Sequence, residues 1–167
     1  FGIKRKYKIM TITACIPTLN RKDFLKRLLN YYSDQGFPYQ IFVGISDSLE
    51  ILNELEEFKS SLSIANQISF FHAPGMGVLE TLRILIGAAS TKYCILQSDD
   101  DFLMHETLKE MMKILEDKND YIGINGKALI LDTITGSLSD YAMRELTNNK
   151  ANLRLQEFSQ NYFAIHM

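Results

Sequence analysis

Residues 11–21 read TITACIPTLNR: a β-branched, apolar run that meets a proline and passes into polar residues. The apolar part, Thr11–Ile16, predicts a buried strand that ends at Pro17. Beyond it, Phe24, Leu25, Leu28, Leu29 and Tyr32 recur at helical spacing. Asn20 is placed to cap that helix, with Asp23 in its first turn, and Gly36 and Pro38 break it.

The same alternation continues outward. Ile41–Ser46 predicts a second strand, and Leu49, Leu52, Leu55, Phe58 and Leu62 a second helix. Ile68–Phe71 is a third strand, residues 73–77 a loop, and Leu79, Leu82, Ile86 and Ala89 mark a third helix. Tyr93–Leu96 is a fourth strand, closed by Asp99-Asp100-Asp101 before a helix carrying Leu108, Met111, Met112 and Leu115. Tyr121–Asn125, Lys127–Ile134 and Tyr162–Ile165 read as further strands, with a turn at Gly136, while residues 139–158 are polar and favour no single state. Strand and helix in strict alternation predict an α/β fold: a mostly parallel central sheet with helices on both faces.

Composition narrows the function classes. The 167 residues hold 20 acidic and 18 basic side chains, a formal charge of −2, which argues against a dedicated nucleic-acid binder. Hydrophobic residues at 46% and charged residues at 23% suffice for a packed core. Cys15 and Cys94 both lie in apolar strand runs and are expected as buried free thiols in a reducing compartment. No apolar run approaches the ~20 residues of a membrane span, so a cytoplasmic location is the expectation. Residues 1–9, FGIKRKYKI, form a basic extension or leader, and residues 10–126 a ligand-binding region. Residues 127–167 are expected to be the start of a second, incomplete region, because the chain stops just after an apolar run.

In a parallel sheet, ligands sit beyond the carboxyl ends of the strands. There the sequence places Pro17, Thr18, Asn20 and Arg21, then Asp47, then Gly77, then the acidic triplet. Three adjacent carboxylates repel one another, which a divalent cation, or solvent and a helix N-terminus, offsets. Hard oxygen ligands suit Mg²⁺ or Mn²⁺, and alternate residues of an extended segment, Asp99 and Asp101, share one side. The alternative is an exposed acidic turn that caps the helix from His105. Asp47 suits a ribose hydroxyl or base N–H, or a plain turn. Arg21 suits phosphate. Arg83, on the third helix, suits a pyrophosphate or a surface ion pair. His72, His105 and His166 share no zinc spacing, and no Walker loop or nucleophile elbow is present.

Residues 11–21, the helix from Phe24 to Gln35, the strand ending at Asp47, and Ile95-Leu96-Gln97-Ser98-Asp99-Asp100-Asp101-Phe102 together resemble the family-two GT-A glycosyltransferases. The resemblance covers about residues 10–126 and implies a Rossmann-like GT-A fold that binds a nucleoside-diphosphate sugar. It implies that Pro17, Thr18, Asn20 and Arg21 border the donor and that Asp47 contacts base or ribose; Gly77, Arg83 and Asp100 are further candidates for the donor side, read from their places in the sequence rather than from the resemblance. It further implies that Asp99 lies on the ribose or metal side and that Asp101 holds Mn²⁺ or Mg²⁺ at the diphosphate. Departures are Ser46-Asp47-Ser48 in place of a double acid with Gly-Ser, Gln97 where many relatives carry an acid, and Arg83 where many carry Asn. No catalytic base is assigned.

The implied activity is metal-dependent sugar transfer, UDP-linked by family analogy, to the hydroxyl of a saccharide or lipid-linked acceptor in surface polysaccharide or glycolipid synthesis. A lipid-linked acceptor implies peripheral contact with the inner membrane face. The alternative is a nucleotide-binding module that transfers nothing. A sugar-phosphate nucleotidyltransferase is disfavoured, because Pro17-Thr18-Leu19-Asn20 stands in place of its glycine-rich loop.

Overall fold

The computed structural model describes residues 12–117 and 123–141. The chain divides into two compact units, Phe1–Lys109 and Glu110–Met167. The first unit follows the alternation read from the sequence. It runs β1 (Ile12–Thr18), α1 (Lys22–Asp34), β2 (Gln40–Ile45), α2 (Leu49–Ser60), a short 3-10 turn at Ala65–Gln67, β3 (Ile68–His72), α3 (Val78–Ala88) and β4 (Tyr93–Leu96). Its sheet has the order β3-β2-β1-β4, parallel throughout. The helix α4 (His105–Asp117) follows, with Leu108 buried.

β1 runs two residues beyond the expected stop, with Pro17 opposite Gly44 and Thr18 opposite Ile45. The ladder explains why the proline is tolerated. The Cys15 carbonyl accepts from the Gln97 N–H on the β4 side, whereas the Thr18 carbonyl accepts from the Ser46 N–H on the β2 side. Backbone groups alternate sides along a strand, so Pro17 turns its missing donor toward β4. The last β1–β4 pairing is Cys15 with Leu96, so no ladder bond is lost there.

On one sheet face, Cys15 and Phe42 pack against Leu85 of α3, with Phe71, Leu82 and Ala89 around them. Ile41, Val43 and Ile45 point to the other face and are fully buried. The α1 residues Leu25, Leu28, Leu29 and Tyr32, and Leu55 of α2, supply the buried side chains of the helices on that face.

Two expectations need correction. Leu79 and Ile86 do not face the core: they are 82% and 44% exposed, and Thr81 and Leu85 are the fully buried residues of α3. Apolar residues nearly encircle this helix, so their spacing does not select a face. Gly44 selects it instead, because a Cβ there would lie 2.1 Å from Thr81 Cγ2. Cys94 is exposed, because among the described residues β4 is an edge strand whose side chains on one face lack cover; only Cys15 is buried, and burial pushes its thiol up to about 12.

In the second unit, β5 (Leu129–Leu131) and β6 (Leu138–Asp140) form an antiparallel hairpin. The strand expected over Lys127–Ile134 is cut short at Asp132. That carboxylate accepts the N–H groups of Ile134 at 2.8 Å and Thr135 at 3.2 Å, and Gly136 at φ 71° completes the turn. Residues 123–128 have no regular structure, so the strand expected at Tyr121–Asn125 is absent from its described part. The basic extension, Tyr162–Ile165 and most of 139–158 lie outside the described residues.

Gly44→Ala should destabilise the first unit by about 1–3 kcal/mol, since the added methyl overpacks the α3 contact. Urea unfolding is the measurement, and an unchanged midpoint would refute this docking of α3.

Candidate functional site

The sheet order places the turning point of the topology between β1 and β4. The chain winds from β1 through β2 to β3, then returns to add β4 on the far side of β1. The open ends of β1 and β4 are therefore where a ligand crevice is expected. A buried hydrogen bond joins the two ends, from Thr18 Oγ1 to Asp99 Oδ2 at 2.7 Å. Beside it lies an open cleft of about 520 Å³. Its lining combines the polar residues Thr18, Ser46, Gln97 and Asp99 with the apolar Met76, Val78, Leu82 and Leu96. A smaller hollow of about 300 Å³ is lined by Asn20, Asp47 and Ile51 among others, and Arg21 borders both.

Arg21 is the local counter-ion. Its Nε donates to Asp99 Oδ1 at 2.8 Å and its Nη2 donates to Asp100 Oδ2, while the guanidinium stacks over the Phe24 ring at 4.5 Å. Asp99 is only 3% exposed, and both its oxygens are engaged. Hydrogen bonds from Ser98 Oγ and Arg21 hold the Asp100 carboxyl below the usual range. Asp101 shifts the opposite way: partial desolvation, then the charges of Asp100 and Asp99, raise it against the pull of Arg21. Among the described residues, three carboxylates thus share one guanidinium, and the segment is short of positive charge.

That shortage fits a cation. Asp101 is the exposed member of the triplet, and Asp99 accepts one donor on each oxygen, so lone pairs remain. Among the described residues, no three His, Cys, Asp or Glu side chains come together as a ready-made metal group. Any ion held there would need oxygens from its ligand, as sites with one or two carboxylates do.

The structure brings Pro17, Thr18, Arg21, Gly77 and Asp99 to one cleft. Asn20 and Asp47 meet in the neighbouring hollow. Asn20 does not cap α1: Arg21 takes the cap position, no side chain caps it, and Asn20 itself adopts a left-handed conformation at φ 56°. Asparagine tolerates that conformation better than most residues. It aims the Asn20 N–H at Asp47 Oδ1, 2.8 Å away, so Asp47 ties the loop after β1 to the loop after β2. Asp47 Oδ2 is buried without a partner. Gly77 is the N-cap residue of α3, and the Glu80 carboxylate accepts its N–H at 3.2 Å. Arg83 is exposed on α3 and does not line the cleft.

Sequence reasoning missed Tyr32 and treated Gln97 only as a departure. Both are buried under the acidic loop, where Gln97 Nε2 donates to Tyr32 Oη at 2.6 Å and to the Asp101 carbonyl at 2.7 Å. Tyr32 read as a core position of α1, and nothing in its spacing signals a polar partner.

Residues 13–162 match the family described as Glycosyl transferase family 2. The chain belongs to that family. Over 131 residues, this family-2 chain is 21% identical to the poly(ribitol-phosphate) beta-N-acetylglucosaminyltransferase TarS of Staphylococcus aureus strains Mu50 and MW2. The match covers 72% of this chain and 22% of those proteins, so the chain spans about a fifth of the curated relatives it matches. Of solved structures, the S. aureus TarS 1–349 structure superposes with a TM-score of 0.53 at 18% identity, covering 70% of this chain and 39% of that one. A second S. aureus TarS structure gives 0.50 at 21% identity, covering 65% and 20%. These likenesses show the shared fold. Among the described residues, no helix is long and apolar enough to cross a membrane.

The raised Asp101 carboxyl makes a stability prediction. A carboxyl raised in the folded state stabilises the fold when protonated, an effect fully present below its unfolded value near ~3.9 and lost as pH rises through its folded value. At neutral pH the charge therefore works against folding. Asp101→Asn should stabilise the protein at pH 7 by a few tenths of a kcal/mol, about the size expected for an exposed charge. The gain should vanish as pH falls below ~4, where the two proteins become near-equivalent. Thermal unfolding across pH reads this, and a gain that grows on acidification would contradict the assignment.

Proposed function

We propose that this chain is the donor-binding part of a glycosyltransferase that takes a nucleoside-diphosphate sugar, UDP-linked, and transfers the sugar to an acceptor hydroxyl. The observation that carries the reading is the Thr18–Asp99 hydrogen bond at the turning point of the sheet, beside a cleft large enough for a nucleotide. Family membership supports it. The TarS relatives, named as N-acetylglucosaminyltransferases acting on poly(ribitol-phosphate), favour a saccharide or polyol acceptor of a cell-surface polymer or glycolipid. A lipid-linked acceptor would bring the protein to the inner face of the membrane from the cytoplasm.

In this reading, Asp47 and the Asn20 backbone shape the hollow for base or ribose, and Thr18 fixes the orientation of Asp99. Arg21 lies between the two spaces, where its guanidinium reaches the diphosphate side. Asp99 and Asp101 would hold Mn²⁺ or Mg²⁺, which when bound supplies Lewis-acid neutralisation of the departing diphosphate. The acceptor oxygen forms its bond to the sugar carbon while the bond from that carbon to the diphosphate oxygen breaks. The acceptor proton passes to a base that no described residue supplies on the present geometry.

Calorimetric titration of UDP, then GDP, with Mn²⁺ and with chelator tests the reading. UDP should bind with Mn²⁺ and not with chelator, and Asp101→Asn should weaken it by about tenfold, or ~1.4 kcal/mol. A folded protein that binds neither nucleotide would remove the enzyme reading of this chain. Metal-dependent nucleotide binding without transfer to any saccharide acceptor would favour the non-catalytic module.

A further inference from the structure

The acidic loop does not hold itself in place. Residues 97–104 contain no helix or strand, and three like charges stand in succession. What fastens the loop is a pair of buried polar side chains from outside the triplet. Tyr32 is fully buried on α1, its ring stacked on Phe37 with centroids 4.1 Å apart. Gln97 follows β4 and is 6% exposed. Both amide hydrogens of Gln97 are committed, one to Tyr32 Oη at 2.6 Å and one to the Asp101 carbonyl at 2.7 Å. Tyr32 Oη also accepts the Leu103 N–H at 3.3 Å. Two side chains thus grip the loop at its last acidic residue and again two residues later.

We propose that Tyr32 and Gln97 are positioning residues, a buried hydrogen-bonded pin that sets Asp101 for a nucleoside-diphosphate ligand. The proposal rests on the nucleotide reading of the cleft given above. Tyr32 does not line the cleft, and Gln97, which does, commits both amide hydrogens to the pin, so the pin acts through the Asp101 backbone, and so on the residue carrying the exposed carboxylate. The chemistry specifies an amide at position 97. An ionised carboxylate accepts only, so a glutamate would set an acceptor against the Asp101 carbonyl and add a fourth charge to the segment. The pin also specifies a hydroxyl at position 32, since removing it strands two donors at once, the Gln97 amide and the Leu103 N–H. The Gln97 Oε1 is buried without a partner, so the side chain is held by what its nitrogen donates. A small displacement of Asp101 matters, because ligand-holding groups tolerate only about 0.5 Å of misplacement.

The test uses Tyr32→Phe, which keeps the ring on Phe37, and Gln97→Glu, which is nearly isosteric. Each is made in the full chain, with the double variant beside them. Two readouts apply: UDP affinity with Mn²⁺ by calorimetry, and amide hydrogen exchange at Leu103 against the β1 core amides. Each single variant should weaken UDP by about tenfold, and the double by no more than the weaker-binding single, as members of one network do. Exchange at Leu103 should accelerate while the β1 amides stay protected, which shows that the fold survives. UDP affinities within about twofold of wild type in both singles would overturn the positioning role. So would additive losses in the double. Wild type that fails to bind UDP, with Leu103 exchange still accelerated in both variants, would sink the nucleotide reading and keep the pin as the device that holds the loop. Unaccelerated exchange would overturn the pin whatever UDP does.

Discussion

A carboxylate buried to 3% exposure is the constraint around which this site is built. The buried oxygens of Asp99 have to be met by partners, since breaking a buried charge pair by removing one partner costs roughly 3–5 kcal/mol. Thr18 and Arg21 meet them, and each brings a different element to the same point. Thr18 is available only because β1 runs through Pro17, and Pro17 is tolerated only because β4 has already ended beside it. The site is thus a consequence of one strand outlasting its neighbour by a few residues. The gap between their ends is the cleft.

The charge balance separates the three acidic residues into different roles. Asp99 is locked to the end of β1 through Thr18 and to the cap of α1 through Arg21. Asp100 is drawn outward by Arg21 and Ser98 and lies below the normal carboxylate range. Asp101 takes the unneutralised remainder, and its carboxyl is raised. Stability alone would not select an aspartate there. In the proposed reading the compensating charge would arrive with the ligand, which would account for a local cost without local compensation.

The sequence made the sheet legible because each strand of the first unit is a short apolar run between helices, and that signal survives without knowledge of contacts. The docking face of α3 was not legible. Val78, Leu79, Leu82, Ile84, Leu85 and Ile86 give no polar side to exclude, and the decision rests with Gly44 on another element. The exposed Cys94 has the same origin, since an apolar residue in a strand does not disclose that the strand is an edge. At the site, the strand-end rule located Thr18, Asn20, Asp47 and Asp99 from order alone. It did not disclose that a guanidinium already sits against the triplet, nor that Asn20 would leave the helix for a left-handed turn. Those outcomes depend on distances between segments far apart in sequence, 27 residues for Asn20 and Asp47 and 78 for Arg21 and Asp99.

The role of α1 follows from the same distances. Arg21 at its start holds Asp99 and Asp100, while near its other end Tyr31 packs edge-on against Phe102 at 4.9 Å and Tyr32 accepts the Leu103 N–H. From Arg21 to Tyr32 a helix rises roughly 16 Å at 1.5 Å per residue. From Asp99 to Leu103 an extended chain covers at most roughly 14 Å. The two lengths match closely enough for one helix to hold both ends of the acidic loop at once. A loop gripped only at its first residue would let three repelling carboxylates splay. Gripped at both ends by a helix whose buried face is fixed by Leu25, Leu28 and Leu29, it must keep them together. The core packing of α1 and the charge density of the site are therefore one problem with one solution. A substitution that loosens the buried face of α1 disturbs the acidic loop without touching a charge.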